Sequence, residues 1–159
     1  MTSRVLLIVI LLMGFLIIKS YYEWKKEVNY RILMQNILTE GDVAYDKLDL
    51  LMKKGSDQEI NESCPDLMRV HNILASKILE ARVPKKYKES HSYMKDGILD
   101  LNLSVVTICD GFKEQSKSAV LQGIEINRNA LNNMVKGQDT LFIESKNKSI
   151  LERILTRED

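Results

Sequence analysis

Two histidines and two cysteines are the residues of this sequence best suited to chemistry. In a chain of 159 residues, His71 and His91 are the only histidines, and Cys64 and Cys109 are the only cysteines. Imidazole and thiolate groups bind metals, and paired thiols form disulfides. The sequence contains no His-Glu-x-x-His, Cys-x-x-Cys or Glu-x-x-His segment, so it lacks the spacings typical of zinc and di-iron sites. We therefore expect no metal, no cofactor and no catalytic residue.

Both histidines fall on the apolar seam of a predicted helix. With a short turn near Val83, His71 and His91 would lie on antiparallel helices about four residues apart in level, roughly 6 Å along the axis. One interpretation is that each imidazole hydrogen-bonds inside the core or fixes the helix register, as Asn127 would on the last helix. The other is that the two histidines respond together to pH between about 5 and 8.

The cysteines leave two alternatives open. A bond between Cys64 and Cys109 would tie the start of the second predicted helix to the third, and a loop of this length predicts about 3–4 kcal/mol of stabilisation. An even number of cysteines in a domain outside the cytosol is typical of a disulfide. Two half-buried thiols are expected instead if the domain faces the cytosol.

Composition and motifs exclude several classes of function. The chain has 23 basic and 22 acidic residues, and these charges are interspersed. A nucleic-acid-binding protein needs a basic face, which such a pattern does not supply. The sequence also lacks a nucleophile–base pair, a phosphate-binding loop and a glycine-rich cofactor motif. We expect neither an enzyme nor a nucleic-acid partner.

The elements that position these residues are predicted to be helices. Gly and Pro are scarce, and apolar residues recur at alternating spacings of four and three, the heptad pattern of helices that pack as in a coiled coil. The first helix is expected to continue from the N-terminal segment to about Lys54, and its seam comprises Tyr30, Met34, Ile37, Gly41, Ala44, Leu48 and Leu51.

A polar loop is predicted over residues 55–63, before the second helix. That helix is expected to begin at Ser63, with Pro65 in its first turn, and to end at Val83 because Pro84 follows. A connection of two or three residues would make the second and third helices antiparallel neighbours.

The third and fourth helices complete an all-α fold. The third begins at Pro84 or Lys85, and its predicted seam comprises Tyr87, His91, Met94, Ile98, Leu101, Val105, Ile108 and Phe112. The predicted seam of the fourth comprises Val120, Ile124, Asn127, Leu131, Met134, Gln138 and Leu141. Helices connected in this way close most simply as an up-down-up-down four-helix bundle.

An apolar run, Val5–Ile18, precedes the bundle. Its 14 residues span roughly 21 Å, less than the hydrocarbon core of a bilayer, but Lys19, Tyr21, Tyr22 and Trp24 can extend it through the headgroup level. No small-x-small cleavage site follows the run. We predict an uncleaved, single-pass signal anchor, and the alternative is a leader cut at an atypical site.

The predicted organisation has three parts and one open question. Residues 1–22 form a transmembrane anchor, residues 23–147 a four-helix bundle, and residues 148–159 a short amphipathic tail. The basic residues after the anchor favour a bundle that faces the cytoplasm. The very short segment before the span and the cysteine pair favour an exported bundle. We expect a cell-membrane protein with its domain outside the cytoplasm.

The segment V-P-K-K-Y-K-E-S-H, residues 83–91, resembles a loose group of small bacterial and phage-borne, membrane-anchored surface proteins. The resemblance implies a four-helix domain behind an anchor, with Tyr87 and His91 on the inner seam. No cysteine directly follows the apolar run, so this chain differs from the lipid-anchored members of the group. The layout is also similar to that of chemoreceptor-type four-helix sensor domains, but we expect no second span, so signalling would need a partner.

The function expected from these observations is protein–protein contact. The chain would serve as a structural or accessory component that binds another membrane or surface protein, or associates with itself. A ligand-sensing four-helix domain is the first alternative, and a cavity along the seam would favour it. An accessory protein that faces the cytoplasm is the second.

Overall fold

Four helices form the part of the chain that the structure, a computed structural model, describes. This part comprises residues 2–146, with side chains over residues 11–145, so the predicted tail at 148–159 lies outside it. The helices are α1 (Thr2–Lys54), α2 (Asp57–Leu79), α3 (Lys88–Lys113) and α4 (Lys117–Lys146), with a 3₁₀ turn (Lys85–Tyr87) before α3. Each helix packs against the next in sequence, as expected for a helical bundle. The predicted all-α fold is confirmed.

Helix α1 is a single unbroken element of 53 residues. Its buried residues begin at Tyr30 and continue through Met34, Ile37, Ala44 and Leu48, which confirms the predicted seam. Gly41 is also buried on this seam. The segment before Tyr30 extends beyond the bundle core, because its side chains from residue 11 onward are mostly exposed.

Helix α2 begins at Asp57, so the predicted loop over residues 55–63 and the predicted start at Ser63 are wrong. Ser56 is the N-cap, and it forms a reciprocal capping box with Glu59: the Ser56 N–H donates to the Glu59 carboxylate at 2.7 Å, and the Glu59 N–H donates to Ser56 Oγ at 3.3 Å. This cap satisfies the first helical N–H groups two turns earlier than predicted, and it places Ile60 in the core.

The connection between α2 and α3 is longer than predicted, and it sets a different register. It occupies residues 80–87 and includes the 3₁₀ turn. Cys64 is bonded to Cys109, and the side-chain Nδ2 of Asn102 donates a hydrogen bond to the side-chain Oδ1 of Asn72 at 3.1 Å. Both pairings centre the antiparallel turn near residue 87 instead of Val83.

Candidate functional site

The two cysteines form a disulfide between α2 and α3. The Cα atoms of Cys64 and Cys109 are 5.7 Å apart, and both residues are buried. Cys64 lies inside α2, since that helix begins seven residues earlier. The bond lies in an apolar cluster formed by Leu48, Ile60, Leu67, Val105 and Ile108. It fixes the end of the bundle that is farthest from the N-terminal part of α1.

His71 lies in the core, where its ring is held by its own helix. Only 1% of its surface is exposed, and Nδ1 lies 2.8 Å from the Leu67 carbonyl oxygen, to which it donates. Nε2 is buried and has no hydrogen-bond partner among the described residues. Burial lowers the pKa of His71 below its ordinary value of 6.5. This environment favours a neutral His71 imidazole, in which Nδ1 is hydrogen-bonded.

His91 occupies a separate polar cluster nearer the N-terminal part of α1. Its Nδ1 lies 3.1 Å from the Tyr30 hydroxyl, and the Tyr30 ring stacks on Tyr87 with centroids 5.3 Å apart. Burial raises the pKa of Tyr30 well above its ordinary value, so this phenol keeps its proton. Burial, and then the nearby Lys95, lower the pKa of His91. These contacts connect α1 to the beginning of α3.

The predicted proximity of the two histidines is wrong. Because Asn72 pairs with Asn102, His71 lies level with about residue 103 of α3, roughly 12 residues or 18 Å from His91. The longer connection between α2 and α3 causes this difference. The two rings therefore titrate in separate environments. Their role in pH response or register stays a prediction.

The described residues include no group of three or more His, Cys, Asp and Glu side chains placed to hold a metal ion. The polar clusters in the core are instead pairs, such as Tyr30 with His91. Acidic and basic side chains also pair across helices at the surface, where Lys77 bonds Glu40 and Lys86 bonds Glu27. This arrangement supports packing and register.

The predicted membrane-interface residues lie on the outer part of α1. Tyr21, Tyr22 and Trp24 are about half exposed, and Lys19 is exposed. Across the described residues, no helical segment is both long and apolar enough to cross a bilayer. The first six residues of the predicted span Val5–Ile18, residues 5–10, lie outside those whose side chains are described.

Helices α3 and α4 meet along a seam of small residues, which we call the closed seam. An added Cβ at Gly123 would lie 3.0 Å from the Ile108 backbone nitrogen, and one at Gly97 would lie 2.9 Å from the Ala130 carbonyl oxygen. Ser104 Oγ donates to the Gly123 carbonyl at 2.8 Å. Buried small residues recur every seven positions, at Ser90, Gly97, Ser104 and Gly111 on α3 and at Gly123, Ala130 and Gly137 on α4.

The closed seam corrects the predicted seam of α4. Ile124 and Gln138 were expected in the core but are exposed, while Gly123, Ala130 and Gly137 take the buried positions beside Asn127 and Met134. Asn127 and Met134 are buried as predicted, so the prediction is wrong at every second seam position, where the residue before the predicted one is buried. Glycine and alanine bury backbone against backbone, a contact that a search for large apolar side chains does not detect. The 7-residue repeat of small residues is the signal that would have found it.

On its other flank, α4 is separated from α1 by a cleft of about 320 Å³. Leu48 and Met52 of α1 and the buried Ile108 of α3 contribute apolar surface to it. Asn127 also lines the cleft; it is 8% exposed and forms no hydrogen bond within the described residues. Tyr45, Asp49 and Arg128 line the cleft as well, so it combines an apolar floor with polar and charged groups at its sides.

A row of side chains runs along α4 beside this cleft, and we call it the α4 stripe. Its large apolar members are strongly exposed: Leu121 at 56%, Val135 at 55% and Phe142 at 59%. The heptad pattern of the sequence does not predict this exposed stripe, although its spacing alternates between three and four, because that pattern places Ile124, Leu131 and Gln138 in the core. The stripe comprises Leu121, Ile124, Arg128, Leu131, Val135, Gln138 and Phe142.

Comparisons with known proteins find no relative: no protein family matches this chain, and no curated protein or solved structure is detectably similar to it. The function is therefore argued from the geometry of the closed seam, the cleft and the α4 stripe.

Proposed function

We propose that this chain is a single-pass membrane protein whose helical domain lies outside the cytoplasm and acts as an accessory component through protein–protein contact. The α4 stripe is the observation that carries the proposal. All of its members lie on one flank of one helix at spacings of three or four residues, so they form a contiguous surface, in which Arg128 and Gln138 lie between the apolar side chains. Contiguous exposed apolar surface marks interaction sites on soluble domains.

The proposed orientation is supported by the disulfide. Bonds such as that between Cys64 and Cys109 persist in oxidising compartments and are rare in the cytosol of mesophiles. The anchor is supported by the apolar run of the sequence and by the aromatic residues that follow it on the same helix. Because α1 continues without a break from this segment into the core, the anchor would connect directly to the bundle.

Photo-crosslinking in intact cells tests protein contact. A photoreactive amino acid replaces Val135 in the α4 stripe, and a matched variant carries it at Asn129, which is exposed on the opposite face of α4. We expect a discrete crosslinked product from position 135 and little from position 129. Equal labelling at the two positions, or none at either, would contradict the proposal.

Topology is tested separately. A cysteine introduced at exposed Lys136 is treated, in intact cells, with a maleimide that does not cross membranes. We expect labelling without lysis, together with recovery of the chain in the membrane fraction. Labelling only after lysis would favour the accessory protein that faces the cytoplasm.

The cleft between α1 and α4 is an observation in favour of the ligand-sensing alternative. Its volume of about 320 Å³ is at the lower end of the range for small-molecule sites. The tightly packed closed seam leaves no comparable room between α3 and α4. A thermal-shift screen of small apolar acids and amines tests this alternative, with Asn127→Leu as the variant that should abolish any shift.

A further inference from the structure

We propose that the partner of the α4 stripe is a second copy of this chain, paired with it in antiparallel orientation. The inference rests on the proposed function, because it names the partner for the same surface. It is carried by the order of side chains along the stripe, by one unpaired charge and by the position of the cleft.

The part of the α4 stripe from Ile124 to Phe142, which leaves out Leu121, has the same pattern in both directions. From Ile124 to Phe142 the order is apolar, polar, apolar, apolar, polar, apolar, at spacings of four, three, four, three and four. An interface between identical copies related by a two-fold axis must be complementary to itself. When two such stripes run antiparallel, apolar residues face apolar residues and polar residues face polar residues along the whole segment.

Three kinds of contact result, and each occurs twice. Ile124 faces Phe142 of the second copy, and Leu131 faces Val135 of the second copy. The third contact places Arg128 opposite Gln138 of the second copy, whose amide oxygen accepts a hydrogen bond from the guanidinium.

The charge of Arg128 also favours this arrangement. Arg128 is exposed and forms no ion pair within the described residues. In the antiparallel register, Arg128 faces Gln138 of the second copy. Asp139 of the second copy follows that Gln138 in sequence, so its carboxylate comes within reach of the Arg128 guanidinium. A parallel, in-register pair would instead place Arg128 against Arg128, and like charges in direct opposition are destabilising.

The cleft between α1 and α4 fits this register as well. Ile124 lines the cleft, and Phe142 of the second copy lies opposite Ile124. The Phe142 ring is therefore placed at the mouth of a cleft of about 320 Å³, whose apolar surface comes from Leu48, Met52, Ile108 and Leu131 and which Asp49 and Arg128 also line. Aromatic side chains that fill pockets dominate the affinity of many protein interfaces. Phe142 is 59% exposed in the single chain, which leaves most of its surface to be covered.

Cysteine crosslinking of the full chain in detergent tests the orientation. Ile124→Cys and Phe142→Cys variants are mixed and treated with a short bismaleimide; both native cysteines are bonded and do not react. We expect a crosslinked dimer from the mixture and at least about tenfold less from either variant alone. The matched control mixes Asn129→Cys with Lys136→Cys, which are centred on nearly the same level of α4 but lie on its opposite face, and should give no dimer. Strong crosslinking of Ile124→Cys with itself, or no dimer from the mixture, would overturn the proposal.

A charge exchange gives a second test that does not remove the apolar contacts. Arg128→Glu should raise the dissociation constant of the dimer, measured by analytical ultracentrifugation, by about tenfold or more, equivalent to ~1.4 kcal/mol. Adding Asp139→Arg should restore most of the affinity, because Glu at position 128 then faces an Arg at position 139 of the second copy, with the charges of the original pair exchanged. Equal affinities for the wild type and Arg128→Glu would overturn the proposed register, and circular dichroism verifies that each variant is folded.

The photo-crosslinking experiment distinguishes failure of this inference from failure of the proposed function. A product from position 135 with twice the mass of the chain supports the second copy. A product of any other mass overturns the second copy but leaves protein contact in place. The absence of a product overturns both.

Discussion

Helix α4 packs in opposite ways on its two flanks. Towards α3 it presents glycine and alanine, and the two backbones approach so closely that a Cβ at Gly123 or Gly137 would lie only 3.0 Å from a backbone nitrogen of α3. Towards α1 it presents Ile124 and Leu131, and the two helices leave a cleft between them. The closed seam has no room for a partner, and the open flank does.

One flank of α4 therefore stabilises the fold, and the other flank exposes surface for contact with a partner. Interiors packed at the density of organic crystals tolerate little change in volume, so the closed seam is suited to hold α3 and α4 in fixed register. The open flank leaves apolar surface in water, and covering such surface contributes roughly 25 cal/mol per Å². Substitutions on the two flanks should therefore affect different measurements.

The largest effect on stability is expected from the disulfide, which holds α3 to α2. The double variant Cys64→Ser/Cys109→Ser should lose about 3–4 kcal/mol of unfolding free energy, because the bond closes a loop over a sequence separation of 45 residues. Urea denaturation without reductant measures it, with reduced wild type as the comparison. A loss below about 1 kcal/mol would contradict the entropic argument and indicate that the closed seam alone fixes α3.

Filling the closed seam should have the next largest effect. Gly123→Ala is expected to destabilise the fold by about 1–3 kcal/mol, even though alanine is the better helix former, because the added methyl meets the backbone of α3. Chemical denaturation gives the value. If the variant were as stable as the wild type, the two helices would have to separate at little cost, and the contrast between the flanks would be lost.

Acid should weaken the fold through His71. Its folded pKa is lowered by burial, so the unfolded chain binds more protons below pH 6.5. Stability should be constant above about pH 6.5 and should fall as pH decreases towards the lowered folded pKa. Thermal unfolding between pH 7.5 and 5 measures the slope, and His71→Leu should reduce it. Part of the slope should remain, because the pKa of His91 is also lowered. An identical slope in His71→Leu would show that His71 does not contribute.

A methyl group added on the seam of α1 should raise the unfolding free energy, whereas Gly123→Ala should lower it. At Gly41 the nearest atom to an added Cβ is Leu74 Cδ1 at 3.9 Å, an ordinary contact. Gly41→Ala should therefore stabilise the protein by about 0.5–1 kcal/mol through reduced backbone entropy of the unfolded chain. Measured beside Gly123→Ala, it provides a matched pair of identical substitutions. Destabilisation at Gly41 would indicate that α1 packs as closely as α3 and α4 do.

The smallest change in stability is expected on the α4 stripe. Val135→Gln removes an apolar side chain that is 55% exposed, so unfolding free energy should change by no more than about 0.5 kcal/mol. Its association with a partner should nevertheless weaken, as measured by ultracentrifugation. A large loss of stability would place Val135 in the core of the single chain and contradict the open flank.

The sequence predicts helices best where large apolar residues mark the buried face. The seams of α1 and α3 follow from Tyr30, Met34, Met94 and Leu101, whose burial is what heptad spacing predicts. The predicted seam of α4 is right at Asn127 and Met134 but wrong at the positions between them, because those contacts are made by Gly123, Ala130 and Gly137. Hydrophobic periodicity assigns little weight to residues that bring backbones together.

The candidate site depends on features that spacing alone does not determine. Whether Cys64 meets Cys109, and how far His71 lies from His91, depend on the register of α2 and α3. That register is set by the connection over residues 80–87, whose 3₁₀ turn has no clear signal in the sequence. The α4 stripe is recognisable only in the folded bundle, where its side chains are exposed. Its spacing in the sequence is a heptad pattern that is equally consistent with a buried face.

Because α1 is one unbroken helix, it fixes the distance between the N-terminal segment and the bundle core. Leu38 packs against the cluster of Leu101, Ala130 and Met134, near the middle of α4, and lies about 16 residues, roughly 24 Å, beyond Tyr22. In an antiparallel pair joined through the centres of two α4 helices, the two N-terminal stalks point in opposite directions. With both stalks as membrane anchors, such a pair would join two facing membranes and act as a rigid spacer that holds them roughly 50 Å apart, because helix rise fixes its span. Inserting seven residues before Tyr30 would lengthen each stalk by about 10 Å without rotating the stripe greatly, and the spacing should grow by twice that amount.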